Sequence, residues 1–258
     1  MLRIIGGELR RRLIHTPPDA ETTRPMPDRV RESVFNLLRG HTEDVEVFDA
    51  FAGSGAIGFE ALSRGARHVI FVERERRVAA LIERTATELG VLDRCEIVVG
   101  DTLGAAAVAR CPEGVHLVFF DPPYPIVRDP RQWPRVRDQF GRLIQRLDAS
   151  GYGILRTPWP FLHEIGGPEE EKPAAPARDP RPEPEETDEF EDFAGWEEID
   201  EDDVGGEVEV IDLNEETPRP VRIPVDLRIG GAIGPETHVY GFTAVHLYMR
   251  DPAGTGAG

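Results

Sequence analysis

The chain has few residues of the kinds that make cross-links or membrane spans. Among 258 residues there are two cysteines, Cys95 and Cys111. They form neither a closely spaced zinc-ligand pair nor the disulfide framework of a secreted protein, so a reducing cytoplasm and no bound metal are expected. No apolar stretch approaches the roughly 20 residues needed to cross a bilayer. The amino-terminal Met1-Leu-Arg-Ile-Ile-Gly-Gly7 runs into Arg10, Arg11 and Arg12 rather than into an apolar segment. The expectation is a chain neither exported nor embedded in a membrane.

Positive charge is scarce too: 30 Lys and Arg stand against 48 Asp and Glu, a formal net charge of -18. Spread evenly, that charge would repel a phosphate backbone. It is not spread evenly. Residues 166–217 hold 22 acids against Lys172, Arg178 and Arg181, which leaves 26 acids and 27 bases in the rest of the chain. From Pro168 to about Pro220 the sequence is rich in Pro, Glu and Asp and lacks periodic apolar positions, which reads as a disordered insertion. Phe190, Phe193 and Trp196 at helical spacing within it are taken as incidental aromatics of a solvated linker, with a short partner-binding helix as the competing reading.

Outside the insertion, apolar runs alternate with helical patterns. Strands are expected at Val45–Ala50, Val69–Glu73, Cys95–Val99, Val115–Phe120 and Tyr152–Arg156. Helices are expected at Asp28–Arg39 with Asp28 as cap and Val30, Val34, Leu37 and Leu38 inward, then at Ala56–Arg64, Arg76–Leu89, Leu103–Arg110 and Val136–Leu147. Repeated βα units imply an α/β, mainly parallel, doubly wound sheet with helices on both faces. Two further β-rich segments, Val225–Ile229 and Thr237–Met249, have no helix between them and are expected to pair antiparallel at the sheet edge.

Ligands of such sheets bind beyond the carboxyl ends of the strands. Asp49, Glu73, Asp101 and Asp121 all stand there. The first opens Asp49-Ala-Phe-Ala-Gly-Ser-Gly-Ala-Ile-Gly58, which satisfies the dinucleotide fingerprint between a strand and a helix. Gly53 and Gly55 permit a sharp turn and close ligand approach, and Gly58 permits tight helix–strand packing. Glu73, roughly 20 residues beyond the loop, can accept from both ribose hydroxyls of a bound adenosine. Asp101 can accept from an adenine amino group or cap a helix starting near Thr102. These features specify an adenosine cofactor without separating NAD from S-adenosylmethionine.

Asp121-Pro-Pro-Tyr124 follows the most apolar strand. Two prolines hold the chain extended, so that no helix is expected to start there and the Pro122 carbonyl stays free. An exocyclic base amine is a poor nucleophile because its lone pair is delocalised into the ring. The Asp121 carboxylate and the Pro122 carbonyl can each accept one N–H and turn the lone pair toward a methyl donor, while Tyr124 offers a face for base stacking. A stiff turn without a ligand is the competing reading.

The run Asp49 to Ala66 together with Asp-Pro-Pro-Tyr resembles the RsmD family of 16S ribosomal RNA guanine-N2 methyltransferases. Arg3-Ile-Ile-Gly-Gly7 and Arg24-Pro-Met-Pro-Asp-Arg-Val-Arg-Glu-Ser-Val-Phe-Asn36 sharpen the likeness, which resumes at Tyr240-Gly-Phe-Thr-Ala-Val-His-Leu-Tyr248. It implies a class I methyltransferase (Rossmann-like) fold with a seven-stranded sheet and S-adenosylmethionine as donor. It implies as target a guanine amine in 16S ribosomal RNA or the assembling small subunit. It also assigns cofactor binding to Asp49, Gly53, Gly55, Glu73 and Asp101, and base handling to Asp121, Pro122 and Tyr124. Met26 and Pro27 depart from the threonines usual in that family.

Residues 1–40 are modestly basic, and Arg10, Arg11 and Arg12 are read as an RNA contact. Arg29 and Arg31 are expected to organise the pocket mouth through carboxylates, with RNA contact secondary. The expected organisation is a basic amino-terminal segment (1–40), a methyltransferase core (41–165), the acidic insertion (166–220), edge strands (221–250) and a flexible tail (251–258), acting as a monomer. Rival readings are a DNA adenine or cytosine amino-methyltransferase, a nicotinamide-dependent oxidoreductase, and a non-catalytic ribosome assembly factor.

Overall fold

The computed structural model describes residues 2–17, 26–165 and 221–253. The chain divides into two units, 1–165 with 222–258, and 166–221. Of the second, only Val221 is among the described residues, so the readings made of the acidic insertion and of its aromatics lie outside them.

A short hairpin, β1 (Leu2–Arg3) with β2 (Leu13–Ile14), precedes helix α1 (Asp28–Leu37). The alternation then runs β3 (Glu46–Ala50), α2 (Ala56–Ser63), β4 (His68–Glu73), α3 (Arg76–Leu89), β5 (Cys95–Val99), α4 (Ala105–Arg110) and β6 (Val115–Phe120). It continues through α5 (Tyr124–Arg128), α6 (Trp133–Ile144) and β7 (Leu147–Pro158). The last strands are β8 (Leu162–Ile165), β9 (Val221–Pro224), β10 (Ala232–Tyr240) and β11 (Thr243–Arg250).

The main sheet has seven strands in the order β10-β11-β7-β6-β3-β4-β5. Strands β3 to β7 are parallel, and β11 and β10 add antiparallel at one edge. Runs such as Val69-Ile-Phe-Val72 are buried on both faces, as a parallel sheet sandwiched between helices requires. One core layer packs Val34 and Phe35 of α1, Leu62 of α2 and Ile82 of α3 on the sheet. The other packs Val136, Phe140 and Leu143 of α6 with Val127 of α5. This is the class I methyltransferase, Rossmann-like architecture. No helix among the described residues is long and apolar enough to cross a membrane. Burial pushes both thiols, Cys95 and Cys111, up to about 12, so neither is a nucleophile near neutral pH.

Three local expectations fail. Val225–Ile229 alternates like a strand but is irregular. The Arg228 amide donates to the Asp226 carboxylate (3.0 Å) and turns the backbone out of any ladder, while Ile229 is buried against α6. The edge hairpin is made by β10 and β11 instead. In α1 the N-cap is Pro27, and Asp28 lies in the first turn, ion-paired with Arg31. Leu37 is exposed, and Phe35 takes the inward position, 5.5 Å from the Phe119 ring.

Candidate active site

The chain passes from β3 outward to β4 and β5, then returns to lay β6 on the other side of β3. At such a reversal the loops leaving two adjacent strands part and open a crevice at their carboxyl ends. Asp49 lies near the end of β3 and Asp121 directly follows β6. The register pairs Asp49 with Phe119, so Asp121 stands two residues further up the neighbouring strand. Glu73 closes β4 on the other side.

The glycine loop is held by its acids. Asp49 accepts the Gly58 amide (3.0 Å), and the Glu73 carboxylate accepts the amides of Gly53 (2.9 Å) and Glu75 (2.8 Å). A Cβ on Gly58 would come within 2.2 Å of the Phe71 ring, and one on Gly55 within 2.8 Å of Phe59. These two glycines serve packing. Gly53 differs: its φ is +54°, yet an added Cβ would meet nothing closer than the Phe51 carbonyl at 4.0 Å, so the turn faces open space. Phe51 itself has φ +64°, a strained conformation for a bulky residue. Its ring meets Phe120 edge-on at 5.1 Å. Nothing in the sequence signalled that backbone.

Asp49 is buried and its Oδ1 has no hydrogen-bond partner. Burial pushes its pKa up to about 8; the Gly58 amide opposes the shift, and the charges of Asp121 and Glu73 add to it. An orphaned carboxyl oxygen beside an open glycine turn and the Glu73 carboxylate fits an adenosine cofactor. The acid also has a consequence for stability. An unfolded Asp titrates near 3.9, so between that pH and about 8 the folded protein keeps a proton that the unfolded chain has lost. This contribution is complete below the unfolded value and disappears as pH rises toward 8, with a slope of up to ~1.4 kcal/mol per pH unit. Denaturant titrations from pH 5 to 8 are expected to show Asp49→Asn flattening that decline; an unchanged slope would refute the assignment.

Asp101 is half exposed, with both oxygens engaged. Oδ1 accepts the Leu103 amide (3.0 Å) and Oδ2 pairs with Arg135 (3.0 Å). It makes a local turn rather than a cap, because α4 starts at Ala105 with Gly104 as N-cap.

Asp121 is paired with Arg156 of β7, Nε to Oδ1 at 2.5 Å, with side-chain exposures of 12% and 9%. Burial pushes the Asp121 pKa up, while the charge and hydrogen bond of Arg156 pull it down. The sequence reading missed Arg156; the available signal was an arginine ending an otherwise apolar strand. It also missed that a helix does begin at once: α5 starts at Tyr124 with Pro123 as N-cap, and the Pro123 carbonyl accepts the Ile126 amide (3.1 Å). A helix's first turn needs no amide from Pro125, so the prolines permit it. Pro122 is buried.

The Tyr124 hydroxyl lies 2.7 Å from Thr243 Oγ1 and 3.4 Å from the Thr157 carbonyl. The guanidinium groups of Arg128 and Arg156 lie over its ring, 5.5 and 5.2 Å from the centroid. The ring is fixed in place, but these arginines already occupy space expected for a stacking base.

The expected RNA-binding arginines are not gathered at this crevice. Arg31 is fully buried, donating to the Arg3 carbonyl (2.8 Å) and Asp28 (3.0 Å) and lying 3.9 Å from Glu60. RNA contact by Arg31 is therefore withdrawn. Arg29 is exposed on α1. Arg10, Arg11 and Arg12 are exposed on the β1–β2 hairpin, and Arg12 donates to the Glu88 carbonyl (2.7 Å) near the carboxyl end of α3. That places them at the opposite end of the sheet from Asp121. The hairpin is seated by Gly7, whose φ is +74° and where a Cβ would fall 1.8 Å from the Ser63 carbonyl.

Two concavities lie away from the crevice. One, of about 510 Å³, is bordered by Gly7, Phe35, Arg39 and Arg64. The other, of about 350 Å³, runs beside α3 and β5 at Ala79, Leu92 and Val99. Neither sits at the switch point, where this fold binds its ligands.

The model of a protein family described as Conserved hypothetical protein 95 matches residues 2–132. Ribosomal RNA small subunit methyltransferase D of Escherichia coli is 37% identical over 123 residues, and its Haemophilus influenzae counterpart 36% over 124. The Bacillus subtilis protein YlbH is 34% identical over 124 residues. Each of these matches takes in 48% of this chain, and they span 60%, 64% and 67% of the relatives' own lengths respectively. Among solved structures, the Escherichia coli yhhF chain superposes with a TM-score of 0.59 at 22% identity, over 97% of this chain and 98% of its own. A Thermus thermophilus chain gives 0.55 at 20% identity, over 96% and 98%. These likenesses show the fold, while the sequence matches reach further: the chain belongs to the RsmD family, that of the ribosomal RNA small subunit methyltransferase D proteins.

Proposed function

We propose that this chain uses S-adenosylmethionine to methylate the exocyclic N2 amine of a guanine in small-subunit ribosomal RNA, in the cytoplasm, during assembly of that subunit. The observation that carries this reading is Asp121, a guanidinium-held carboxylate at the switch point, beside the acids of an open glycine turn. When bound, S-adenosylmethionine supplies an electrophilic methyl carbon on a sulfonium centre. Asp49, Gly53 and Glu73 would hold it, Glu73 through the ribose hydroxyls, and Asp101 is the nearby acid for the adenine end. The Asp121 carboxylate accepts an N–H of the target amine, with the Pro122 carbonyl as the second acceptor, and Arg156 favours its ionised form against the pull of burial. Positioning of this kind supplies much of the acceleration when the leaving group is already activated. Relatives named as ribosomal RNA small subunit methyltransferases support the choice of RNA.

Side-by-side assays with labelled cofactor on assembling small subunits, free ribosomal RNA and duplex DNA test this, with mapping of the methylated position. Transfer to a guanine N2 of the RNA is expected; transfer confined to DNA refutes the proposal. Exposure of the hairpin arginines supports a second contact with the RNA, well away from the reacting base. Arg10→Ala with Arg11→Ala is expected to weaken RNA binding and lower the magnitude of its salt slope by up to about two, one for each lost phosphate contact. An unchanged slope would remove the hairpin from the RNA interface.

A further inference from the structure

We infer that Phe242, on the turn between β10 and β11, stacks on an unpaired RNA base flanking the one held at Asp121; this rests on the methyl-transfer reading above. A lone exposed apolar side chain needs no function, but three observations set this one apart. The first is that the ring lies outside the core. Tyr240 pairs with Thr243 across a two-residue turn in which Gly241 supplies φ +62°. Such turns favour small polar residues, and here a phenyl ring stands 90% exposed.

The second is position. Register pairs Phe120 with Leu155, Arg156 with Val245 and Pro158 with Thr243, so the turn projects from the same end of the sheet as Asp121. From strand spacing and rise, Phe242 stands roughly 14 Å from Asp121. That is too far for the target base and suits a neighbour in the same strand. The turn is also anchored: the Trp159 amide donates to the Phe242 carbonyl (2.9 Å), and the adjacent Thr243 contacts the Tyr124 hydroxyl. Trp159 is itself 38% exposed.

The third is the state of Tyr124, over whose ring two guanidinium groups already lie. Phe242 is an aromatic on this rim over which no guanidinium lies among the described residues, and the exposed Arg128 supplies charge for the connecting phosphate. Single-stranded nucleic acid is held by this pairing of stacking surface and cation.

The test compares the full chain with Phe242→Ala and Phe242→Trp, using a mixed-sequence single-stranded oligoribonucleotide, the same sequence as a duplex, and assembling small subunits. Phe242→Ala is expected to weaken single-strand binding about five-fold or more and to raise KM with kcat held. Duplex affinity, S-adenosylhomocysteine affinity and melting temperature stay unchanged, and Phe242→Trp restores single-strand binding. Equal single-strand affinity of wild type and Phe242→Ala overturns the inference, as does an effect seen only on protein-containing particles, which would make the ring a protein contact. Failure of the wild type to methylate any RNA would instead remove the functional reading on which it rests.

Discussion

Asp121→Asn is expected to lower methyl transfer at least about a hundred-fold while S-adenosylhomocysteine binds within about two-fold of wild type. The amide offers a neutral acceptor where a charged one stood, and lost electrostatic or proton-accepting groups typically cost 10²–10⁴ in rate. Asp121 is assigned to the amine and Asp49, Gly53 and Glu73 to the cofactor, so the two readouts should separate. Asp121→Ala tests a second property. It strips its carboxylate from Arg156, which is 9% exposed, and breaking a buried pair in this way costs about 3–5 kcal/mol. Adding Arg156→Met should recover the melting temperature and leave transfer abolished. Recovery of both would mean that the pair is only structural, and near-normal turnover of Asp121→Asn would end the mechanism.

Glu60→Ala is expected to destabilise the protein by about 3–5 kcal/mol, lowering Tm by roughly 6–20 °C for a domain of this size. Glu60 is fully buried in α2. Its carboxylate accepts the amides of Ile5 (2.7 Å) and Gly6 (2.9 Å) and the Arg64 guanidinium (2.8 Å), with Arg31 at 3.9 Å. Removing it leaves two backbone donors and the Arg64 guanidinium without their acceptor, takes a neighbouring negative charge from buried Arg31 and releases the hairpin from α2. Calorimetry reads the Tm, and amide exchange at Ile5 and Gly6 reads the release. A loss under about 1 kcal/mol would show that the hairpin is held by other contacts.

The βα alternation was legible because strands covered on both faces must be continuously apolar, and because glycines and acids mark their carboxyl ends. What the sequence concealed depends on contacts between distant segments. Arg31 reads as one more charge on a polar helix, and its burial depends on the Arg3 carbonyl and the Glu60 carboxylate, which distant segments bring beside it. Glu60 carried a weak signal, a lone acid in an otherwise apolar helix. Asp121 was recognisable from its tetrapeptide, but its partner Arg156 comes from the next strand of the sheet, a relation that register alone defines. Val225–Ile229 misled for the opposite reason: its alternation is real and packs inward, while Asp226 captures the amide that a ladder would have needed.

The bond between the Tyr124 hydroxyl and Thr243 joins residues 119 positions apart. During synthesis at about 5–20 residues per second, the ribosome has made the glycine turn and Asp121 roughly 6–24 s before Thr243 is added. A nascent chain therefore owns its carboxylates early and gains the Thr243 partner of its tyrosine only later. A polypeptide released before that threonine would carry most of the crevice with the tyrosine hydroxyl short of its nearer partner.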